Sequence, residues 1–248
     1  ERLEPERGRE GFGSAALLCR VEREFCARID AGEPALPRVL EPEVMDTPDE
    51  AIDYDRMDHS EVNRRFASDF FSACPTPGGV ILDVGTGTGA LAAALAAATT
   101  TGDIVGIDPS EAFIAAAKRR ARSTRETYEG GDAQALRFAD ASFDQTLSLL
   151  VMNFVPDHAR AARELRRVTR PGGTVSACVW DYDAGMEVLR AFWDEAVALD
   201  PGAKERDERN MKLCRKGQLG QLWREVGLEG VQEEALVIDA SFTGFDDY

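Results

Sequence analysis

Asp83-Val84-Gly85-Thr86-Gly87-Thr88-Gly89 is the stretch of this sequence whose residue types and spacing can do chemistry. Three alternating glycines let the backbone turn tightly and approach a ligand with no Cβ in the way. The helix expected to follow offers unpaired N–H groups. The dinucleotide fingerprint is G-x-G-x-x-G, with a pyrophosphate on the helix terminus. Here the third glycine comes one residue early, and Asp83 precedes the turn. A carboxylate in that place repels a pyrophosphate and suits a ligand that carries a cation. Asp108 stands 23 residues after Gly85, where an acid can accept hydrogen bonds from both ribose hydroxyls of an adenosine. It equally reads as the N-cap of the next helix, with Pro109 at the first helical position. Asp132, in Gly131-Asp132-Ala133, can accept an adenine's exocyclic amine or serve as an ordinary turn residue.

These residues need a scaffold that brings three loops to one edge, and the pattern of the chain supplies one. Short apolar runs at 80–84, 103–108, 143–150, 174–180 and 230–239, with a weaker one at 126–129, read as strands. Helical patterns fall between them, at 59–73, 90–98, 110–122, 157–169, 185–199 and 215–226. Strands that alternate with helices imply an α/β fold with a doubly wound, mostly parallel sheet in three layers. In such a sheet, ligands bind at the carboxyl ends of the strands, where the glycine loop would lie. Arg170-Pro171-Gly172-Gly173 reads as a helix stop and turn before the fifth strand. Ahead of this domain, at 59–248, residues 1–58 read as a separate extension. Leu17, Leu18, Val21, Phe25 and Ile29 recur at helical spacing, and 37–58 reads as a Pro-containing acidic connector.

Several segments together resemble the class I S-adenosylmethionine-dependent methyltransferases. They are Ile81 through Gly89, Gly106-Ile107-Asp108-Pro109-Ser110, Gly131-Asp132-Ala133-Gln134, Phe143-Asp144, and Arg167 through Gly173. The similarity spans roughly residues 59–239 and is closest to the small-molecule group related to ubiquinone/menaquinone-biosynthesis methyltransferases. The resemblance implies S-adenosylmethionine as cofactor, a small-molecule methyl acceptor and in-line displacement at the methyl carbon. It implies that Asp83 lies near the cofactor's ammonium group, with Gly85, Thr86, Gly87 and Gly89 around its methionine part. Asp108, with Pro109 beside it, would take the ribose; Asp132 and Ala133 would edge the adenine. Leu149 and Leu150 would line the cofactor and lead to the acceptor, and Tyr54 would act as a lid. The family's fold normally ends with a sixth strand and an antiparallel seventh. This sequence stops at Phe245-Asp246-Asp247-Tyr248, so the resemblance implies a chain cut before its last strand. Two rival functions are a nicotinamide-dependent oxidoreductase, which the G-x-G-x-G spacing argues against, and a non-catalytic cofactor-binding protein.

Composition narrows the partners. The chain has 248 residues, 45 acidic and 29 basic, for a formal charge of -16. That charge repels phosphate backbones and anionic membrane surfaces, so neither nucleic acid nor membrane is expected as a partner. Half of it sits between residues 41 and 61, which hold nine acids and one base, Arg56. The longest apolar run, 90–98, has nine residues, far short of the roughly 20 a bilayer requires. Five cysteines without a C-x-x-C pair indicate neither a disulfide framework nor a metal site, and point to a reducing cytoplasm. His59, His158, Asp181 and Tyr182 are the candidate general bases; none is singled out as catalytic. The arginine runs at 119–125 and 163–170 read as solvated helix faces. Trp180, Phe192, Trp193 and Trp223 read as core or as an aromatic acceptor pocket.

Overall fold

The computed structural model describes residues 47–57, 59–74 and 79–238. The expected helix at 17–29 and the first part of the connector lie outside the described residues. Five strands form one sheet: β1 Ile81–Val84, β2 Ile104–Asp108, β3 Glu126–Gly130, β4 Phe143–Leu149 and β5 Thr169–Cys178. Their order is β3-β2-β1-β4-β5, and every neighbouring pair is parallel. The helices are α1 Pro48–Arg56, α2 Ser60–Ala73, α3 Ala90–Ala98, α4 Glu111–Arg120, α5 His158–Val168, α6 Glu187–Leu199 and α7 Gln218–Glu225.

The period-2 alternation of a strand divides its side chains between two cores. In β1, Leu82 and Val84 join one apolar cluster, with α5 residues Ala161 and Leu165 and α7 residues Leu222 and Trp223. Ile81 joins the other, with Phe66 and Phe70 of α2, Leu91 and Leu95 of α3, and Ile114 of α4. Both faces of the sheet are therefore covered, which is why the central strands β1 and β2 are short, largely apolar and buried.

Three expectations are corrected. The connector is not all irregular, because α1 occupies 48–56. Thr47 Oγ1 accepts the Glu50 N–H at 3.2 Å, and Glu50 Oε2 accepts the Thr47 N–H at 2.8 Å. With Pro48 at the first turn, this is a complete capping box. The described part of the expected sixth strand, 230–238, holds no strand. That segment crosses from one core to the other: Val231 packs with the α5–α7 cluster and Leu236 with the α2–α4 cluster. Third, Arg170–Gly173 does not precede β5 but lies inside it. Phe143 pairs with Thr169 and Gln145 with Thr174, so these residues form a break in register.

The arginine runs also serve in packing. Arg125 reaches the carbonyls of Ala96, Thr99, Thr101 and Gly102 at 2.8–3.3 Å, satisfying the open C-terminal end of α3. Arg167 donates to the carbonyls of Leu136 and Phe138 and pairs with Glu164 and Asp140. Hydrogen bonds from a charged donor contribute about 1.5–3 kcal/mol. Arg125→Ala is accordingly expected to lower unfolding free energy by about 1–3 kcal/mol, read as a lower urea midpoint at unchanged slope. An unmoved midpoint would show that the four contacts carry no net stability.

Candidate functional site

The carboxyl ends of β1, β2 and β4 open onto a cavity of about 480 Å3, within the range of about 300–1,000 Å3 that small-molecule sites occupy. Its wall includes Tyr54, Asp83, Gly85, Thr86, Gly87, Asp108, Pro109, Asp132, Ala133 and Leu149. With Leu150, eleven of the twelve residues the sequence nominated thus surround one space. Gly89 is not on the wall: a Cβ there would point at Tyr128 Oη, 2.9 Å away.

Asp83 is 1% exposed and accepts the Thr86 hydroxyl at 2.7 Å. Burial pushes its carboxyl up to about 7; the Thr86 hydrogen bond opposes the shift, and the nearby Asp108 charge adds to it. Asp108 is also buried. Its Oδ2 accepts the Gly87 N–H and its Oδ1 the Ser110 N–H, both at 2.9 Å. The N-cap of α4 is Ser110, whose Oγ accepts the Phe113 N–H. Asp108 is therefore not a helix cap but a clamp between the glycine loop and the start of α4. Asp132 is exposed and accepts the backbone N–H and side-chain amide of Gln134. It lines the cavity while also holding its own turn.

Tyr54 reaches the cavity from α1. Its ring stacks on His59 at 4.8 Å and lies 5.5 Å from Phe113. Burial, then the charges of Asp108 and Asp83, raise its phenol, so it stays protonated. Asp55 of α1 is paired with Arg120 of α4, which ties this helix down over the loop. Of the four candidate bases, His59 lines the cavity and His158, Asp181 and Tyr182 do not. Asp181 is spent on the backbone N–H groups of Asp183 and Ala184, and Tyr182 is buried.

The aromatic pocket expected from Trp180, Phe192, Trp193 and Trp223 is not present at this cavity, since none of them lines it. Trp223 is in the α5–α7 core, and Trp193 donates to Glu208 at 3.0 Å. Apolar wall is supplied instead by Leu149, at the end of β4, and by Leu150, Val151 and Phe154 just past it. Phe154 is 55% exposed, and sequence reasoning passed it over. The short turn that carries it, Met152–Phe154, has no periodicity to mark it. Leu150 holds a left-handed backbone, φ +59°, and its N–H donates to the Cys178 carbonyl at 2.8 Å. That turn lays Val151 against the glycine loop.

The model of a methyltransferase domain family matches residues 82–177. A demethylmenaquinone methyltransferase of Roseiflexus castenholzii is 40% identical over 174 residues, covering 64% of this chain and 71% of that protein. An uncharacterised protein of Mycobacterium tuberculosis is 40% identical over 106 residues, 42% of this chain but 38% of the relative's length. The crystal structure of a Methanococcus maripaludis protein, described as an S-adenosyl-L-methionine-dependent methyltransferase, superposes with a TM-score of 0.57 at 21% identity. That match covers 78% of this chain and 89% of the other, and shows the shared fold. The chain belongs to the class I S-adenosylmethionine-dependent methyltransferases and is related to those of quinone biosynthesis. This membership goes against the nicotinamide alternative. The donor set fits the family's cofactor: two buried carboxylates and a glycine loop meet a ligand that is itself cationic.

Proposed function

We propose that the cavity binds S-adenosylmethionine and that the protein transfers its methyl group to a small-molecule acceptor. The observation that carries this reading is the placement of Asp83, Asp108 and Asp132 around one glycine-lined cavity. When bound, the cofactor supplies a methyl group on a good, neutral leaving group. Asp83 faces the ammonium group, Asp108 accepts the ribose hydroxyls, and Asp132 with Ala133 borders the adenine. Gly85, Thr86 and Gly87 shape the floor under the methionine part, with Gly89 acting from behind the loop. Tyr54 covers the opening. Displacement needs the nucleophile held in line, and such positioning can contribute about 7–11 kcal/mol. The wall of Leu149, Leu150, Val151 and Phe154 keeps water from that line and presents an apolar surface to the acceptor.

The relatives named demethylmenaquinone methyltransferase support a demethylated quinol as the first acceptor to test. No described helix is long and apolar enough to cross a membrane; the free Cys74, Cys178 and Cys214 support a reducing cytoplasm as the site of action. Transfer of labelled methyl from the cofactor to a short-chain quinol analogue, read by mass, tests the reaction. Cofactor binding without transfer to any quinol, phenol or amine in a panel would leave a binding protein and end the catalytic reading.

The state of Asp83 sets a pH dependence. A buried carboxyl raised to about 7 favours its protonated form, so the ligand-free fold loses that contribution as pH climbs from the unfolded value through 7. A cationic ligand needs the ionised form. Affinity is expected to strengthen about tenfold from pH 6 to pH 8, with release of up to one proton at the lower end. Calorimetry in buffers of differing ionisation enthalpy reads both quantities. Asp83→Asn should flatten the profile; the same slope in that variant would assign the proton to another group.

A further inference from the structure

The third glycine of the loop, which does not face the cavity, faces Tyr128. This tyrosine stands on β3 and is 6% exposed. A Cβ on Gly89 would come within 2.9 Å of Tyr128 Oη, and a Cβ on Gly106 within 2.6 Å of Tyr128 Cδ1 and 2.7 Å of Thr86 Oγ1. Two glycines, one in the loop and one in β2, thus leave the notch that the ring fills. Gly89 needs its type twice, since its φ is +81°. The hydroxyl is anchored in turn. Tyr128 Oη donates to Glu126 Oε2 at 2.9 Å, and Glu126 Oε1 accepts the N–H groups of Arg122 and Ser123 at 3.2 and 2.9 Å. Glu126 is itself buried. Burial and the Glu126 carboxylate raise the phenol, which keeps Oη a donor.

The loop beside this ring is a chain of hydrogen bonds ending on both cavity carboxylates. The Gly89 N–H donates to the Thr86 carbonyl at 2.9 Å, Thr86 Oγ1 to Asp83 at 2.7 Å, and the Gly87 N–H to Asp108 at 2.9 Å. Tyr128 does not line the cavity, yet it abuts Gly89, and its ring and the Thr86 hydroxyl converge on the space that a Cβ at Gly106 would take. We propose that Tyr128 is the positioning residue of the glycine loop. Its ring, fixed by Glu126, sets where Gly89 and Thr86 sit, and through them the two carboxylates that meet the ligand. This rests on the cavity being the S-adenosylmethionine site for its functional meaning, although the loop geometry exists without any ligand.

The test compares Tyr128→Leu, which empties the notch, with Tyr128→Phe, which keeps the ring and loses the hydroxyl. In the ligand-free protein, amide hydrogen exchange at Gly87 and Gly89 is expected to accelerate about tenfold or more in Tyr128→Leu and to stay within about threefold of the parent in Tyr128→Phe. The dissociation constant for S-adenosylmethionine should rise about tenfold or more in the first variant alone, while kcat at saturating cofactor stays within about twofold. Parent-like exchange in Tyr128→Leu, or equal damage in both variants, would overturn the proposal. If Tyr128→Leu does not fold, Gly106→Ala pushes the ring from the opposite side and must accelerate the same two amides; unchanged exchange there overturns it equally. Should the parent protein fail to bind S-adenosylmethionine, the functional reading fails, and the exchange result still decides the role of Tyr128.

Discussion

Asp108→Ala is expected to weaken S-adenosylmethionine binding by about a hundredfold or more. The side chain sits at the end of β2 with 8% exposure, and its two oxygens already fix the Gly87 and Ser110 N–H groups at 2.9 Å. Hydrogen bonds from ribose hydroxyls to a carboxylate contribute about 1.5–3 kcal/mol each, and every 1.4 kcal/mol is about tenfold in affinity. Alanine removes those bonds and also leaves two backbone donors unpaired, so the loop that carries Gly87 loosens. Asp108→Asn keeps an acceptor and should lose less, which separates the charge from the geometry. Titration calorimetry of both variants, alongside their urea midpoints, distinguishes lost recognition from lost folding. A dissociation constant within about threefold of the parent in Asp108→Ala would remove Asp108 from the site.

Among the glycines that line the cavity, Gly85, Gly87 and Gly131, the most damaging methyl addition is expected to be Gly85→Ala. A Cβ at Gly85 would lie 2.4 Å from Val151 Cγ2, 2.5 Å from Cγ1 and 2.8 Å from Cβ, and the residue holds φ +76°. A left-handed backbone costs a residue with a side chain about 1–3 kcal/mol, and forcing extra methyls into a packed place costs about 1–3 kcal/mol more. The loss is expected to total about 2–5 kcal/mol, a fall in Tm of about 5–15 °C for a domain of this size. Cofactor affinity should fall with it, because Val151 and Gly85 face the same cavity. Adding Val151→Ala to Gly85→Ala removes the two nearest carbons and should recover part of the Tm, but not the share due to the backbone. A double variant no more stable than Gly85→Ala would mean that the contact with Val151 is not the source of the loss.

Both effects reach across the chain, and this marks how far the sequence could be read. Asp83, the glycines and Asp108 were legible because each lies within a few residues of the end of a short apolar run, a local signal of a strand buried on both faces. Thr47-Pro48-Asp49-Glu50 carried a capping box in plain view; the acidic run around it obscured α1. The place of Tyr54 on the cavity wall was legible only through family resemblance, since its partners are His59, at the N-cap of α2, and Phe113 of α4. Arg125 and Arg167 looked like solvated charges because the carbonyls they satisfy lie 23–31 residues away.

The sequence by itself determined the alternation of strands and helices, the loop with its preceding acid, and the second acid at the end of the next strand. These follow from burial periodicity and from backbone preferences, which act between near neighbours. Tertiary structure alone decided that Val151 lies over Gly85, that Tyr128 fills the notch left by Gly89 and Gly106, and that 230–238 crosses between two cores instead of pairing as a strand. Such contacts depend on close packing between distant segments, where shape and volume select partners that no local pattern encodes.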